Sequence, residues 1–109
     1  MHHLKHLVGL LLFFVFLQPL KAQEKFTISG YVKDSTSNET IIGATINVRG
    51  RTRGISSNQY GFYSVTLDKG TYSLTVSHVG YMAKEVEIEL NANRQFNFDM
   101  TPRISFSQE

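Results

Sequence analysis

Three short stretches of this 109-residue chain carry the side chains that could do chemistry. In the first, Glu85, Glu87 and Glu89 alternate with Val86, Ile88 and Leu90. Carboxylates brought together serve as general acid–base pairs or as calcium ligands. Here a period of two points all three outward from one strand with no converging ligand. That reads as a solvated, charged face that discourages edge-to-edge aggregation. In the second stretch, Arg49, Arg51 and Arg53 surround Gly50, a cationic loop that suits an acidic glycan or partner as well as plain solvation. In the third, Tyr60 and Phe62 flank Gly61. Aromatics beside a turn supply a docking surface or a sugar-stacking platform, or else a small cluster packed under a loop with Tyr31 and Tyr81.

Catalysis has little to work with. Cysteine is absent, and beyond residue 22 His78 is the single histidine. It follows the alternating run Tyr72, Leu74 and Val76, where a packed or hydrogen-bonded imidazole accounts for it. A general base would need a positioned partner, and none is announced nearby. The expectation is a non-enzymatic chain with no catalytic residue, no cofactor and no metal.

The N-terminus has the order of a secretory signal peptide. Lys5 lies in the n-region, Leu7 to Leu17 is an apolar stretch of eleven residues broken only by Gly9, and Pro19-Leu20-Lys21-Ala22 supplies a breaker and a small residue. Crossing a bilayer takes about 20 residues, so an uncleaved anchor is disfavoured. Cleavage between Ala22 and Gln23 is expected, with export to the periplasm or outer membrane. The precursor holds 11 Lys+Arg against 9 Asp+Glu. Lys5 and Lys21 leave with the leader, so the mature piece carries nine charges of each sign and is formally neutral. A neutral chain is a poor ligand for a phosphate backbone, which argues against a nucleic-acid partner. With no disulfide available, a piece this small must hold together by packing or lean on a neighbour.

The elements that must position these residues are strands. Ile28 and Val32 alternate with polar residues in a first strand, and Asp34 to Thr40 forms a polar turn. Ile42 leads into a second strand whose Ala44, Ile46 and Val48 share one face. A short third strand lies near Ile55, and Asn58-Gln59-Tyr60-Gly61 is a turn signal. Tyr63, Val65 and Leu67 face inward on the next strand, which puts Phe62 outward. Tyr72, Leu74 and Val76 follow, then Val86 to Leu90. Phe96, Phe98 and Met100 face inward on a last strand, which Pro102 is expected to end. No mature segment shows a 3.6-residue period. The spacing predicts an all-β fold, a seven-stranded antiparallel β-sandwich preceded by the signal-peptide helix.

Five of these elements in order resemble the carboxypeptidase-regulatory-like family, a prealbumin-type (transthyretin-like) sandwich. They are Ser29 to Asp34, Gly43 to Val48, Ser57 to Tyr63, Gly70 to Leu74 and Ser77 to Tyr81. The likeness is strongest to the version at the N-terminus of TonB-dependent outer-membrane receptors, the SusC/RagA-like group included. Many relatives have Thr-Asp where this chain has Ser57-Asn58. The prealbumin-type fold also includes a ureide hydrolase that ends in Tyr-Arg-Gly-Ser and uses several histidines; both features are missing here.

The resemblance implies three segments: a signal peptide over 1–22, the sandwich over 23–101 and a C-terminal tail over 102–109. It also implies an accessory or interaction domain of a receptor for nutrient uptake, glycans among the nutrients. No TonB-box-like segment appears before Glu109, so the chain reads as a truncated or partial receptor. The alternative is a stand-alone secreted or periplasmic module that binds carbohydrate or protein. In either case Tyr60, Phe62, Arg51 and Arg53 are the candidate contacts. The expected partners are the rest of the receptor, another periplasmic or outer-membrane protein, or a glycan.

Overall fold

The computed structural model describes residues 23–104. The expected leader, with Ala22, and the residues after Ile104 lie outside them. Eight strands follow one another: β1 (Lys25–Asp34), β2 (Thr45–Val48), β3 (Ile55–Ser56), β4 (Phe62–Asp68), β5 (Gly70–Ser77), β6 (Lys84–Leu90), β7 (Arg94–Gln95) and β8 (Phe98–Met100). One sheet runs β4-β1-β7, with β8 continuing beside β1, and the other runs β3-β2-β5-β6.

The alternation seen in the sequence becomes the two inner faces of the sandwich. Ile28, Val32, Tyr63, Leu67, Phe98 and Met100 from the first sheet meet Ile46, Val48, Leu74, Val76, Ile88 and Leu90 from the second, all at 4% exposure or less. Burying each such side chain contributes about 1.5–3 kcal/mol, which must offset the ordering of the backbone.

One pairing departs from an antiparallel sandwich. β1 runs antiparallel to β4 but parallel to β7 and β8, with Ile28 opposite Arg94 and Val32 opposite Phe98. The last strand is split in two at Phe96–Asn97, and the split is filled by side chains. Phe96 N–H donates to Ser29 C=O at 2.8 Å. On either side of it, the Oδ1 atoms of Asn93 and Asn97 accept from the N–H groups of Thr27 and Tyr31 at 3.0 and 2.8 Å. Gly30 makes this close approach feasible, because a Cβ there would collide with the Phe96 carbonyl oxygen. The buried Tyr63 hydroxyl donates to that same oxygen at 2.6 Å. Burial pushes the Tyr63 phenol well above its ordinary value, so it remains a donor throughout the physiological range.

Two details sit at the ends of strands. Ile41, not Ile42, enters the core: Ile41 is 5% exposed and Ile42 is 60% exposed. Gly43 has φ +74°, and this left-handed residue resets the phase just before β2. As expected, β8 ends at Met100, ahead of Pro102. The chain leaves β8 and crosses to the other sheet, where Tyr81 and Pro102 face each other in an isolated bridge. The bonds are made by the flanking residues, Met82 N–H to Thr101 C=O at 2.8 Å and Arg103 N–H to Gly80 C=O at 3.0 Å. Proline's missing donor is therefore not called upon.

The sheet edges are managed in different ways. β3 is only two residues long, and β6 presents Lys84, Glu85, Glu87 and Glu89, all exposed. Lys84 Nζ donates across the gap to Asp99 C=O, and Arg94 to Glu89 C=O, both at 3.2 Å. On β4 the bond from Val32 N–H to Gly61 C=O sets the phase, so Phe62, Ser64, Thr66 and Asp68 turn their backbone groups outward. Phe62 is capped at one end, exchanging bonds with Asn58, and the Asp68 carbonyl is capped at the other by the Tyr72 hydroxyl. Only the short Ser64–Thr66 stretch is left open.

Gly30→Ala is expected to lower stability by about 1–3 kcal/mol or more, because the added methyl must push β7–β8 away from β1. Tyr63→Phe should cost about 1–2 kcal/mol by leaving the Phe96 carbonyl short of its donor. Urea unfolding midpoints of the two variants check both values, and the glycine variant should be the worse.

Candidate functional site

The turn that carries Tyr60 and Phe62 is built by two polar residues. Asn58 Oδ1 accepts from the N–H groups of Tyr60 and Phe62 at 2.9 and 3.0 Å, and Gly61 N–H donates to Asn58 C=O at 2.8 Å. Gly61 has φ +76°, and a Cβ there would lie 2.6 Å from Thr40 Cβ, so both conformation and space call for glycine. Ser57 is buried. Its hydroxyl donates to Ile41 C=O at 2.7 Å and accepts from Ala44 N–H at 2.9 Å. A threonine hydroxyl and an aspartate oxygen at these two positions could make the same bonds.

Tyr60 stands 65% exposed at the tip of this turn. Phe62 points outward, as its register requires, and is half-buried against its cross-strand neighbour Tyr31. The two rings meet edge to face at 5.4 Å. Arg51 and Arg53 lie elsewhere. They follow Val48 at the far end of β2, whereas Ser57 binds at its near end, beside Ala44. The structure thus divides the four candidate contacts between two ends of the sandwich. The arginines line an open groove of about 340 Å³ with Gly50 and Thr52, with no carboxylate among its lining residues.

The three glutamates face solvent on β6, opposite Thr71, Ser73 and Thr75 of β5. Glu85 Oε2 accepts from the Ser73 hydroxyl at 3.1 Å. Among the described residues no group of three His, Cys, Asp or Glu side chains converges as a metal site would require. His78 Nδ1 accepts from Gly80 N–H at 3.2 Å. Its ring packs edge-on to Tyr81 at 5.5 Å. Both residues line an open, mainly polar groove of about 470 Å³ with Arg103.

Sequence reasoning missed the bond that closes this end of the molecule. The Tyr81 hydroxyl, on the β5–β6 connection, donates to Asp34 Oδ2 at 2.8 Å, at the end of β1. Asp34 Oδ1 accepts from the Thr36 hydroxyl, from Thr36 N–H and from Ser37 N–H. The Thr36 hydroxyl and N–H, then the Tyr81 hydroxyl and Ser37 N–H, hold this carboxyl far below the usual carboxylate range. In return, the Asp34 bond raises the Tyr81 phenol. A Tyr and an Asp 47 positions apart give no local signal, and only the crossing of chain segments brings them together.

Because Asp34 is depressed in the fold, its contribution is full above the unfolded value of about 4 and is lost as pH falls towards the folded one. Asp34→Asn is therefore expected to lower the thermal midpoint at pH 7. Its deficit against the parent should shrink steadily below about pH 4. Thermal unfolding of both proteins across pH 2–8 checks the sign, with about 4 as the turning point.

Comparison with known proteins agrees with this architecture. The family model of the CarboxypepD_reg-like domain matches residues 28–108. Carboxypeptidase D of Homo sapiens is 31% identical over 81 residues, 72% of this chain and 6% of that protein. TonB-dependent receptor SusC of Bacteroides thetaiotaomicron is 30% identical over 79 residues, again 72% of this chain and 8% of the receptor. The chain thus spans less than a tenth of the length of either relative. Among solved structures, the C-terminal domain of shaft pilin SpaA from Lactobacillus rhamnosus GG superposes with a TM-score of 0.61 at 12% identity. That match covers 74% of this chain and the whole of the pilin domain. A cohesin–X-dockerin complex from Acetivibrio cellulolyticus gives 0.60 at 20% identity, covering 71% of this chain and 58% of the other. At such identities these structures show a shared fold. The matched residues take in both sheets, the Ser57–Asn58 turn and the Gly30 crossing, and the chain belongs to the CarboxypepD_reg-like domain family.

Proposed function

We propose that this chain is the non-enzymatic N-terminal accessory domain of a TonB-dependent outer-membrane receptor for nutrient uptake. In this reading residues 1–22 are a signal peptide cleaved between Ala22 and Gln23, and the sandwich is presented in the periplasm. The observation that carries it is the 30% identity to SusC over a segment that makes up 8% of that receptor. A segment of that size is an appendage, and transport through a barrel would belong to the rest of the molecule. The sandwich suits the role. Its only histidine is hydrogen-bonded to its own loop, Asp34 caps a turn, Asp68 pairs with Lys25, and the β6 glutamates face water.

A domain of this kind acts through its surfaces. Tyr60 and Phe62 at one end and the Arg51–Arg53 loop at the other are separate contacts, suited to two partners or to two parts of one. Addition of a long partner strand is disfavoured, since β6 is charged and β4 is capped at both ends. Side-chain docking is the mode that the surface supports.

The alternative is a free-standing carbohydrate- or protein-binding module. Membrane fractionation with an antibody to the sandwich separates the readings. The receptor reading expects the epitope in the outer-membrane fraction, on a polypeptide many times longer than 109 residues. A soluble periplasmic band of about the size of the sandwich alone would contradict it.

A further inference from the structure

The two outer faces of the sandwich differ in charge. On the β5–β6 face, Thr71, Ser73 and Thr75 stand opposite Glu89, Glu87 and Glu85. On the β4–β1–β7 face, the cross-strand pairs are Phe62–Tyr31, Ser64–Ser29 and Thr66–Thr27, and Gln95 continues the middle row beside Ser29. None of these positions is charged. Charge returns only at the two margins, in the Lys25–Asp68 ion pair at 3.1 Å and in the facing pair Lys33–Asp99. At about 3.3 Å per residue and 4.8 Å between strands, the neutral rows form a flat area of roughly 14 by 10 Å.

The hydrogen-bonding capacity of this area is partly unspent. Thr27 and Thr66 satisfy each other, hydroxyl to hydroxyl at 2.8 Å. Among the described residues, the hydroxyls of Ser29 and Ser64 and the Gln95 amide have no side-chain partner within the protein. Asn97 commits its Oδ1 to Tyr31 N–H and leaves its Nδ2 free. Beside these groups lies the Tyr31–Phe62 pair, with Tyr31 37% exposed. The middle row itself carries no apolar side chain, only hydroxyls and an amide. An ionic ligand would find no counter-charge there.

We propose that this face binds a neutral oligosaccharide. A sugar ring offers an apolar C–H face and a rim of hydroxyls that both donate and accept, matching an aromatic pair beside neutral hydroxyl and amide groups. The Tyr31–Phe62 pair forms the platform, and Ser29, Ser64, Gln95 and Asn97 read the hydroxyls. The weight falls on Tyr31 more than on Tyr60, which stands at the tip of the turn. The site holds whether or not a receptor follows the chain, and its test needs none.

The test is an amide-shift titration of the isotope-labelled full chain with maltohexaose, cellohexaose and xylohexaose, and with a hyaluronan hexasaccharide as the acidic control. At least one neutral probe should saturate with a Kd near 1 mM or below, the order expected of a shallow site. Its shifts should centre on Ser29, Tyr31, Ser64 and Gln95. Tyr31→Ala and Gln95→Glu should each weaken binding by about tenfold. Glu87→Gln, on the opposite face, should leave it unchanged. Four results would overturn the proposal. They are no saturation by any neutral probe up to about 10 mM, equal binding of the acidic control, unchanged affinity in both face variants, and shifts explained by self-association through this face.

Discussion

The sandwich depends on how closely the last strand can approach the first. β1 is the central strand of its sheet, with β4 on one side and β7–β8 on the other. Parallel neighbours hydrogen-bond somewhat less favourably than antiparallel ones, and this one is interrupted besides. The interruption is tolerated because Gly30 has no side chain where the Phe96 carbonyl comes in, and because the Tyr63 hydroxyl reaches that oxygen from the core. Asn93 and Asn97 then supply side-chain oxygens where backbone acceptors are missing. A buried or half-buried polar group left unmet here would cost about 1–3 kcal/mol, a large share of the stability of so small a domain.

Two further ties close the ends and sides of the sandwich without disulfides. The Tyr81–Asp34 bond joins the β5–β6 connection to the end of β1, and Ser57 joins the entry of β2 to the turn before β4. These are polar stitches between segments distant in sequence, and they tie the sandwich where the chain has no cysteine to cross-link it. They also leave the outer faces free. The function proposed for the chain, docking of side chains on flat surfaces rather than chemistry in a cleft, follows from that division of labour.

Much of the fold was legible from period alone. Ile28 and Val32, Ile46 and Val48, Tyr63 and Leu67, Leu74 and Val76, Ile88 and Leu90 each announce an inner face, and the structure buries every one. What escaped was non-local or depended on one dihedral. The parallel course of β8 beside β1 leaves no mark on either strand's alternation. The burial of Ile41 rather than Ile42 ahead of β2 turns on the left-handed Gly43. Pro102, which cannot donate to a ladder, proves compatible with pairing because the bonds fall to its neighbours. The candidate surface was legible in part. Phe62 was placed outward by register, but the neutrality of the face around it emerges only when β4, β1 and β7 are set side by side.

Amide hydrogen exchange is the most direct test of the central constraint. The account predicts strong protection of the N–H groups of Thr27, Tyr31 and Phe96, the first two held by asparagine side chains in place of a continuous strand. Exchange of these three amides as fast as that of an exposed loop, with β4 and β5 still protected, would contradict it.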